Sequence, residues 1–334
     1  MQEALFYEKL DNRRVRCNLC PHQCLINEGK SGRCLARSNV GGRINARTYE
    51  RMVTGMQNDP IEKKPLYHFY PGSSILSLAP NGCTLSCSFC QNWSIAQTEQ
   101  ITRSITPERA ISKALNSGSV GLAYTYSEPY LWYEFLLEIA PQAREKGLKN
   151  VMVTNGYYEQ KPFEKLLPHI DAFNIDLKAM DDDFYHRICK GSLAPVLSTI
   201  KQAVKSSHVE LTNLVIPTLN DSDEQITRLI DWVADELGPN VPLHFSRYFP
   251  SHKVSLPPTP LSRLFEIRSQ AMEKLNYVYL GNIGGMDEAS IKADTTFCPH
   301  CHKPLIVRVG YYLESMACHN GSCDHCSEEV HIIQ

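Results

Sequence analysis

The chain has 334 residues, 43% of them hydrophobic, and a formal net charge of −2. That length suggests about two domains with a substantial core. Because the net charge is close to zero, the composition shows no excess of basic residues. We therefore expect neither nucleic acid nor a membrane surface as a partner. Thirteen cysteines without a predicted secretory leader indicate the reducing cytoplasm rather than a disulfide framework.

The cysteines divide the chain into three parts. Four lie between residues 17 and 34, three between 83 and 90, one at 189 and five between 298 and 326. This grouping predicts a cysteine-rich metal-binding module over residues 1–68, an α/β core over 69–292 and a zinc-ribbon-like module over 293–334.

The N-terminal group consists of Cys17, Cys20, Cys24 and Cys34. Four cysteines in so short a stretch of a cytosolic protein indicate metal binding rather than structural thiols. His22 could replace one of them as a ligand. The spacing allows either a structural zinc ion or a second iron–sulfur cluster, and it does not separate the two.

The core alternates short apolar runs with longer amphipathic segments. Thr106 and Pro107 predict a helix start, with threonine as N-cap and proline at the first helical position. Strands are predicted at residues 74–79, 120–125, 150–154, 172–177, 209–216, 243–246 and 277–280, with helices near 130–146, 158–167, 194–206, 223–237 and 260–274. Repeated β–α units require a parallel sheet.

We therefore predict an α/β fold, a partial (β/α)6-type TIM barrel with small cysteine-rich modules at both ends. A doubly wound sheet is the alternative. The barrel is preferred because the chemically suggestive residues all fall at the carboxyl ends of strands, where such barrels place their sites.

The first predicted strand leads into the segment Cys83-Thr-Leu-Ser-Cys87-Ser-Phe-Cys90. Electron-transfer clusters are normally held by four thiolates. Three thiolates in a short loop leave one iron of a four-iron cluster open to a small molecule, and this implies S-adenosylmethionine (SAM). The alternative is a zinc knuckle completed by a distant ligand, although zinc sites usually contain two cysteine pairs.

The C-x3-C-x2-C spacing, with Phe89 before the last cysteine, resembles the radical SAM superfamily. Other segments are similar to its glycyl-radical-enzyme activases, which include the pyruvate formate-lyase activating enzymes. Tyr126-Ser127-Glu128-Pro129 stands where the activases carry Gly-Gly-Glu-Pro, the segment that receives the methionyl ammonium group of SAM. Both glycines are replaced here, so other residues must allow the close backbone approach that glycine permits.

The resemblance implies a [4Fe-4S] cluster, SAM and a low-potential electron donor, flavodoxin or ferredoxin. Cys83, Cys87 and Cys90 would hold the cluster as the catalytic residues. The residues expected at the cofactor, from the tail of the cysteine loop and from later strand ends, are Phe89, Gln91, Asn92, Ser127, Glu128, Thr154, Asp176, Lys178, Ile216 and Phe249.

The N-terminal cysteine segment and residues 242–250 resemble the radical SAM component of the AmmeMemoRadiSam system. The name of that branch does not supply a substrate. The strand within residues 242–250 should lie beside the cofactor and carries His244 and Arg247 on opposite faces. We predict these two residues as candidates for substrate binding.

The C-terminal group contains two C-x2-C knuckles, Cys298 with Cys301 and Cys323 with Cys326. Their separation is close to that of a zinc ribbon, and we predict zinc at these four residues. Cys318 would then be a spare, buried thiol.

Three functions remain open from the sequence. In the first, a 5′-deoxyadenosyl radical takes hydrogen from a small molecule or peptide; in the second, it installs a glycyl radical on a partner enzyme. The third is a zinc-stabilised binding protein with a vestigial barrel. The intact cysteine triad and Glu128 argue against the third.

Overall fold

The structure is a computed structural model that describes residues 2–285 and 287–334. Its N-terminal part is built from short antiparallel strands. One sheet contains β1 (Tyr7–Lys9), β2 (Val15–Cys17) and β3 (Leu25–Ile26), a hairpin contains β4 (Arg37–Val40) and β5 (Arg43–Ala46), and β6 (Arg51–Met52) follows.

The central sheet has eight strands, of which seven are parallel. At one edge β7 (Gln57–Pro60) pairs antiparallel with β8 (Ser74–Leu78). After α1 (Trp93–Ala96), strand β9 (Arg103–Ser104) pairs with β6 outside this sheet. The remaining central strands are β10 (Gly121–Tyr124), β11 (Lys149–Thr154), β12 (Ala172–Asp176), β13 (His208–Val215), β14 (Leu243–Arg247) and β15 (Val278–Gly281).

Helices connect the parallel strands. They are α2 (Pro107–Asn116), α3 (Tyr133–Glu145), α4 (Gln160–Leu166), α5 (Asp182–Phe184), α6 (Leu193–Ala203), α7 (Asp223–Glu236) and α8 (Leu261–Ala271), with α9 (Glu288–Asp294) after β15. A π-helix, Tyr185–Cys189, continues α5. The predicted N-cap is present, because the Thr106 side chain accepts a hydrogen bond from the backbone N–H of Arg109.

The order of the strands separates the two predicted folds. The sheet runs β7, β8, β10, β11, β12, β13, β14 and β15 without a reversal. A doubly wound sheet would reverse its order at a switch point, whereas a singly wound barrel adds each strand beside the last. The predicted α/β fold with a parallel sheet is therefore confirmed. Its seven parallel strands correspond to the seven strands predicted from the sequence, one more than a (β/α)6-type barrel has.

The floor loop, residues 61–73, crosses the amino-terminal end of this sheet and packs on a buried carboxylate. Glu210 accepts hydrogen bonds from the backbone N–H groups of Tyr67 and His68 and from the imidazoles of His208 and His244. Burial opposes its charge, but the hydrogen bonds from the two histidines hold the pKa of Glu210 well below its usual value. His244 thus lies in the floor of the barrel and not at its mouth.

The C-terminal module attaches to this floor. It contains β16 (Thr296–Phe297), β17 (Pro304–Val309), β18 (Tyr312–Met316), β19 (Cys318–His319) and β20 (Ser322–Cys323). The buried Arg308 guanidinium donates to the Tyr67 carbonyl at 2.6 Å and to the Thr296 hydroxyl at 2.9 Å. Phe69 and Ile333 form a parallel bridge.

The N-terminal module attaches to α3 through a buried ion pair. The Arg37 guanidinium lies 2.8 Å from the Glu134 carboxylate, which also accepts from the Leu5 backbone N–H.

Among the described residues, no helix combines the length and apolar character that a membrane crossing requires.

Candidate active site

The carboxyl ends of the parallel strands surround a cavity of about 330 Å³. Cys83, Cys87 and Cys90, in the loop after β8, all line it. The π-helix holds this loop, because the backbone N–H of Ser86 donates to the Cys189 carbonyl at 2.9 Å. A wider depression of about 680 Å³ elsewhere on the surface has no cysteine in its lining.

The three thiols form a donor set that fits an iron–sulfur cluster. Burial raises the pKa of Cys83 well above its usual value and that of Cys90 to about 11. The neighbouring Cys189 thiol and burial together raise the pKa of Cys87. An iron ion that bound here would have to displace protons from these sulfur atoms, as metal binding to cysteine generally does. The side-chain amide of Asn155 points at Cys83 Sγ from 3.4 Å and would hydrogen-bond its thiolate.

Glu128 lies on the cavity wall in the loop after β10, and only 1% of it is exposed. Its carboxylate accepts from the hydroxyls of Thr154 and Tyr158 and from the backbone N–H groups of Tyr130 and Asn155. Burial outweighs these four donors and raises the pKa of Glu128. The carboxylate therefore organises the loops after β10 and β11, besides offering negative charge to a cationic ligand.

The loop before Glu128 makes a sharp backbone turn without glycine. Tyr126 adopts a left-handed conformation, with φ of 68°. Its hydroxyl donates to Asp59 at 2.6 Å, and its carbonyl accepts from the Asn92 side chain at 2.7 Å. The Ser127 hydroxyl is bonded to the Pro80 carbonyl. These side-chain anchors hold the strained turn in which the activases have glycines.

Asp176, the last residue of β12, and Lys178 form an ion pair in the cavity lining, with 2.7 Å between the ammonium and the carboxylate. Burial opposes the charge of Lys178, but Asp176 together with the nearby Cys87 and Cys189 outweighs burial and holds the pKa of the ammonium well above its usual value. The ammonium also lies 5.9 Å from the Phe89 ring centroid. Because Asp176 is still 38% exposed, it remains accessible to hydroxyl groups of a ligand.

Of the residues predicted from the sequence, most meet at this cavity. Its lining includes Cys83, Cys87, Phe89, Cys90, Gln91, Asn92, Ser127, Glu128, Thr154, Asp176 and Lys178. Four other predicted residues lie outside this lining, namely Ile216, His244, Arg247 and Phe249. Ile216 is fully buried, Phe249 is 40% exposed and packs against the Arg247 guanidinium, and His244 lies in the floor.

The sequence analysis missed several polar residues of the cavity wall. Asn155 directly follows Thr154, Thr212 and Ser246 lie on β13 and β14, and Asn282 follows β15. The Asn282 amide donates to the Ser246 hydroxyl at 2.9 Å. Three of them share a signal in the sequence, because Asn155, Ser246 and Asn282 are small polar residues at or just beyond the carboxyl end of a central strand.

The two outer cysteine groups also converge. Cys298 Sγ lies 3.7 Å from Cys326 Sγ, Cys301 Sγ lies 3.8 Å from Cys323 Sγ, and all four sulfur atoms are within 4.8 Å of one another. This group can hold a metal ion. Cys318 is fully buried beside it. The N-terminal residues Cys17, Cys20, Cys24 and Cys34 line a second, smaller cavity.

The geometry agrees with comparisons to known proteins. A family profile described as the radical SAM superfamily matches residues 78–231, from the end of β8 into α7. This chain belongs to the radical SAM superfamily. The resemblance predicted from the cysteine loop is thereby confirmed, and radical SAM chemistry at a cluster is what membership implies.

Two proteins of similar sequence extend this comparison beyond the superfamily. The uncharacterized protein MJ0808 of Methanocaldococcus jannaschii is 43% identical over 341 residues, covering 100% of both chains. The pyruvate formate-lyase-activating enzyme of Clostridium pasteurianum is 32% identical over 161 residues, or 44% of this chain and 64% of that enzyme. The predicted likeness to activases is therefore confirmed over part of the chain.

A solved structure agrees with the fold. A radical SAM methyltransferase from Sphaerobacter thermophilus superposes with a TM-score of 0.51 at 16% identity, covering 66% of this chain and 70% of that chain. Similarity at this level of identity supports the radical SAM fold and nothing about the substrate.

Proposed function

We propose that this chain is a radical SAM enzyme whose Cys83, Cys87 and Cys90 hold a [4Fe-4S] cluster. SAM would bind in the cavity beside it. The observation that carries the proposal is the convergence of the cysteine triad, Glu128 and the Asp176–Lys178 pair on one cavity at the carboxyl end of the sheet. A reduced cluster held by these three cysteines would supply one electron to the sulfonium of SAM, for cleavage of its C5′–S bond to methionine and a 5′-deoxyadenosyl radical.

The residues of the cavity have distinct tasks in this proposal. Glu128 presents a buried carboxylate to the ammonium group of the methionyl moiety, a charge-assisted hydrogen bond. Asp176 accepts from ribose hydroxyls, and the Lys178 ammonium pairs with a carboxylate. The Phe89 ring lies beside the Lys178 ammonium, which is 5.9 Å from the ring centroid. No general base is needed to start the reaction, since the radical takes a hydrogen atom.

The substrate class has two candidates. Sequence likeness to activating enzymes favours a partner protein on which a glycyl radical is installed. A small molecule or peptide is the second candidate, because the outer cysteine modules add chain beyond the matched radical SAM region. Either case requires a low-potential donor, flavodoxin or ferredoxin, and we place the enzyme in the reducing cytoplasm, where its thirteen free cysteines stay reduced.

The C-terminal quartet is proposed to hold structural zinc. Four thiolates at Zn–S bonds of about 2.3 Å in a tetrahedron stand about 3.8 Å apart. The measured separations of 3.7 and 3.8 Å match that value.

The function is tested by anaerobic reconstitution with iron and sulfide, followed by incubation with SAM and dithionite. Wild-type protein should form 5′-deoxyadenosine, and the triple variant Cys83→Ala/Cys87→Ala/Cys90→Ala should form none. Cys189→Ala is the matched control, because it removes a buried thiol next to the loop but no proposed ligand. Equal product from the wild type and the triple variant would refute the proposal and leave a metal-stabilised binding protein.

The two substrate classes are separated by isotope tracing. Candidate substrates are supplied in deuterated form, and deuterium is followed into 5′-deoxyadenosine. Transfer from a glycine α-carbon of a partner protein supports the activase, whereas transfer from a small molecule or peptide supports the alternative.

A further inference from the structure

The floor loop brings two lysines to the cavity that the cysteine triad lines. Lys63 and Lys64 both belong to its lining, together with Tyr126 from the loop after β10. Lys64 is only 3% exposed, whereas 41% of the Lys63 side chain is exposed. A ligand can therefore reach the Lys63 ammonium. The proposed function gives neither lysine a task.

Both lysines pair with a single carboxylate. Asp59, in β7, lies 2.9 Å from the Lys63 ammonium and 2.8 Å from the Lys64 ammonium. It also accepts from the Tyr126 hydroxyl at 2.6 Å. Burial opposes the charge of this carboxylate, but its three donors hold the pKa of Asp59 well below its usual value. One lysine would neutralise the ionised carboxylate, so the second leaves an excess of positive charge.

The two ammonium groups also have donors to spare. Each carries three N–H groups. In the described part of the chain Lys64 has two acceptors, Asp59 and the Ser77 hydroxyl at 2.6 Å, and Lys63 has only Asp59. Burial lowers the pKa of Lys64, although its bonds to Asp59 oppose this shift. An anion beside the lysines would accept the spare donors and offset the cost of burying the Lys64 charge.

The other charged groups of the cavity already have partners on SAM in the proposed function. Glu128 receives the ammonium group of SAM, Asp176 its ribose and Lys178 its carboxylate. The lysine pair of the floor loop is left without a counterpart on the cofactor. It is nevertheless connected to the cofactor's binding loop, because Tyr126, which bonds to Asp59, lies two residues before Glu128. An anion held by these lysines would thus share the cavity with SAM.

We infer that Lys63 and Lys64 form a subsite for an anionic group of the substrate, a carboxylate or a phosphate. The two ammonium groups would donate charge-assisted hydrogen bonds to its oxygen atoms. This inference rests on the proposed function, since it concerns the substrate of the same cavity. Of the two substrate classes, a small molecule or peptide with an acidic group fits the subsite, whereas a glycine residue itself provides no such group.

Anion binding tests the subsite without reference to SAM cleavage. Reconstituted protein is titrated anaerobically, in the presence of SAM, with inorganic phosphate and separately with succinate, and calorimetry measures the heat of binding. At least one of the two should bind saturably, and the tighter one distinguishes a phosphate from a carboxylate. Absence of saturable binding of both anions would overturn the inference.

Variants of Lys63 locate that binding. Lys63→Met should raise the dissociation constant of the anion by about tenfold or more, because it removes a charge-assisted hydrogen bond, and Lys63→Arg should restore most of the affinity. Lys63 is preferred to Lys64 because loss of the buried Lys64 would also break its bond to Ser77. Lys113→Met is the matched control, because Lys113 is an exposed lysine of α2 outside the cavity lining. Equal constants in wild type and Lys63→Met would overturn the subsite.

The electron paramagnetic resonance (EPR) spectrum of the reduced protein separates failure of the subsite from failure of the proposed function. SAM should change this spectrum in the wild type and in Lys63→Met alike. A response to SAM that is lost in Lys63→Met would assign this lysine to the cofactor and overturn the substrate subsite. No response to SAM in the wild type would count against the proposed function, while the anion titrations still decide the subsite.

Discussion

At the scale of single residues, Glu128 combines a proposed role in binding with an observed role in the fold. The motif suggested a carboxylate that binds the ammonium group of SAM, and the structure shows that it also accepts from four buried donors of the chain. Truncation of Glu128 to alanine would leave those four donors without an acceptor and would destabilise the fold. Weaker SAM binding in that variant would then have two causes that the measurement does not separate. An isosteric change is the better test.

Glu128→Gln should weaken SAM binding while iron content stays unchanged. The amide keeps an oxygen for three donors but loses the negative charge. A charge-assisted hydrogen bond contributes on the order of 1.5–3 kcal/mol, so the dissociation constant should rise by about ten- to a hundredfold. Titration calorimetry under anaerobic conditions measures it. Glu159→Gln is the control, because it makes the same change at a residue outside the cavity lining, and it should leave the dissociation constant unchanged. An unchanged constant in Glu128→Gln would show that this carboxylate does not contact the cofactor.

A second residue, Asp294, should make the folding stability of the protein depend on pH. Burial raises the pKa of Asp294 to about 7 at the end of α9, next to Tyr67. The unfolded chain loses this proton near pH 3.9. Between these values the unfolded state binds fewer protons than the folded state, so this group lowers stability as pH rises towards 7.

Asp294→Asn removes that penalty. The unfolding free energy of the variant relative to wild type should increase by about 2–3 kcal/mol from pH 5 to pH 8. Denaturant unfolding at the two pH values measures the change. A constant difference would mean that the carboxyl group is ionised in the folded protein throughout this range.

At the scale of elements, the contact between the cysteine loop and the N-terminal module depends on Gly82. Its φ is +106°, and a Cβ would overlap the Cys34 carbonyl oxygen. Gly82→Ala should therefore separate the two loops, reduce bound iron after reconstitution and lower stability by about 2 kcal/mol or more.

The matched control is Gly147→Ala, because Gly147 also has a positive φ, of +79°, but nothing lies within 4 Å of its Cβ position. It should cost about 1 kcal/mol of backbone strain and leave iron content unchanged. Equal iron in the two variants would show that the loop contact does not matter for cluster binding.

The C-terminal module provides the next prediction. Metal-ligand energy is folding energy in small modules, so Cys298→Ser should release about one zinc per chain and lower the thermal midpoint. SAM cleavage by the folded remainder should persist. Cys318→Ser is the control, since Cys318 is equally buried in this module but is not one of the four converging cysteines. Loss of iron in place of zinc from Cys298→Ser would reveal a cluster there.

The strands and most of the cavity could be predicted from the sequence, because apolar runs mark buried parallel strands and polar residues mark their ends. The predicted strand at 172–177 is β12, Ala172–Asp176, and the one at 209–216 is β13, His208–Val215. His244 could not be placed, because its position depends on the Glu210 carboxylate and the floor loop, which are distant in sequence. Phe249 lies beyond the end of β14, where the alternation of a strand no longer fixes its direction.

At the scale of the whole molecule, the cysteine groups occupy three places around one barrel. The central triad lies at the carboxyl end of the sheet, the N-terminal quartet contacts the same loop, and the C-terminal module closes on the floor at the opposite end. The central triad and the N-terminal quartet are thus grouped at one end of the barrel, and the C-terminal quartet lies at the other.

The most direct measurement is the EPR spectrum of the anaerobically reduced protein with and without SAM. In the wild type, SAM should change the signal of the central cluster, because it binds the open iron. In Cys83→Ala/Cys87→Ala/Cys90→Ala, this SAM-dependent change should be absent. A SAM-dependent change that persists in this triple variant would contradict the assignment of the cavity as the cofactor site.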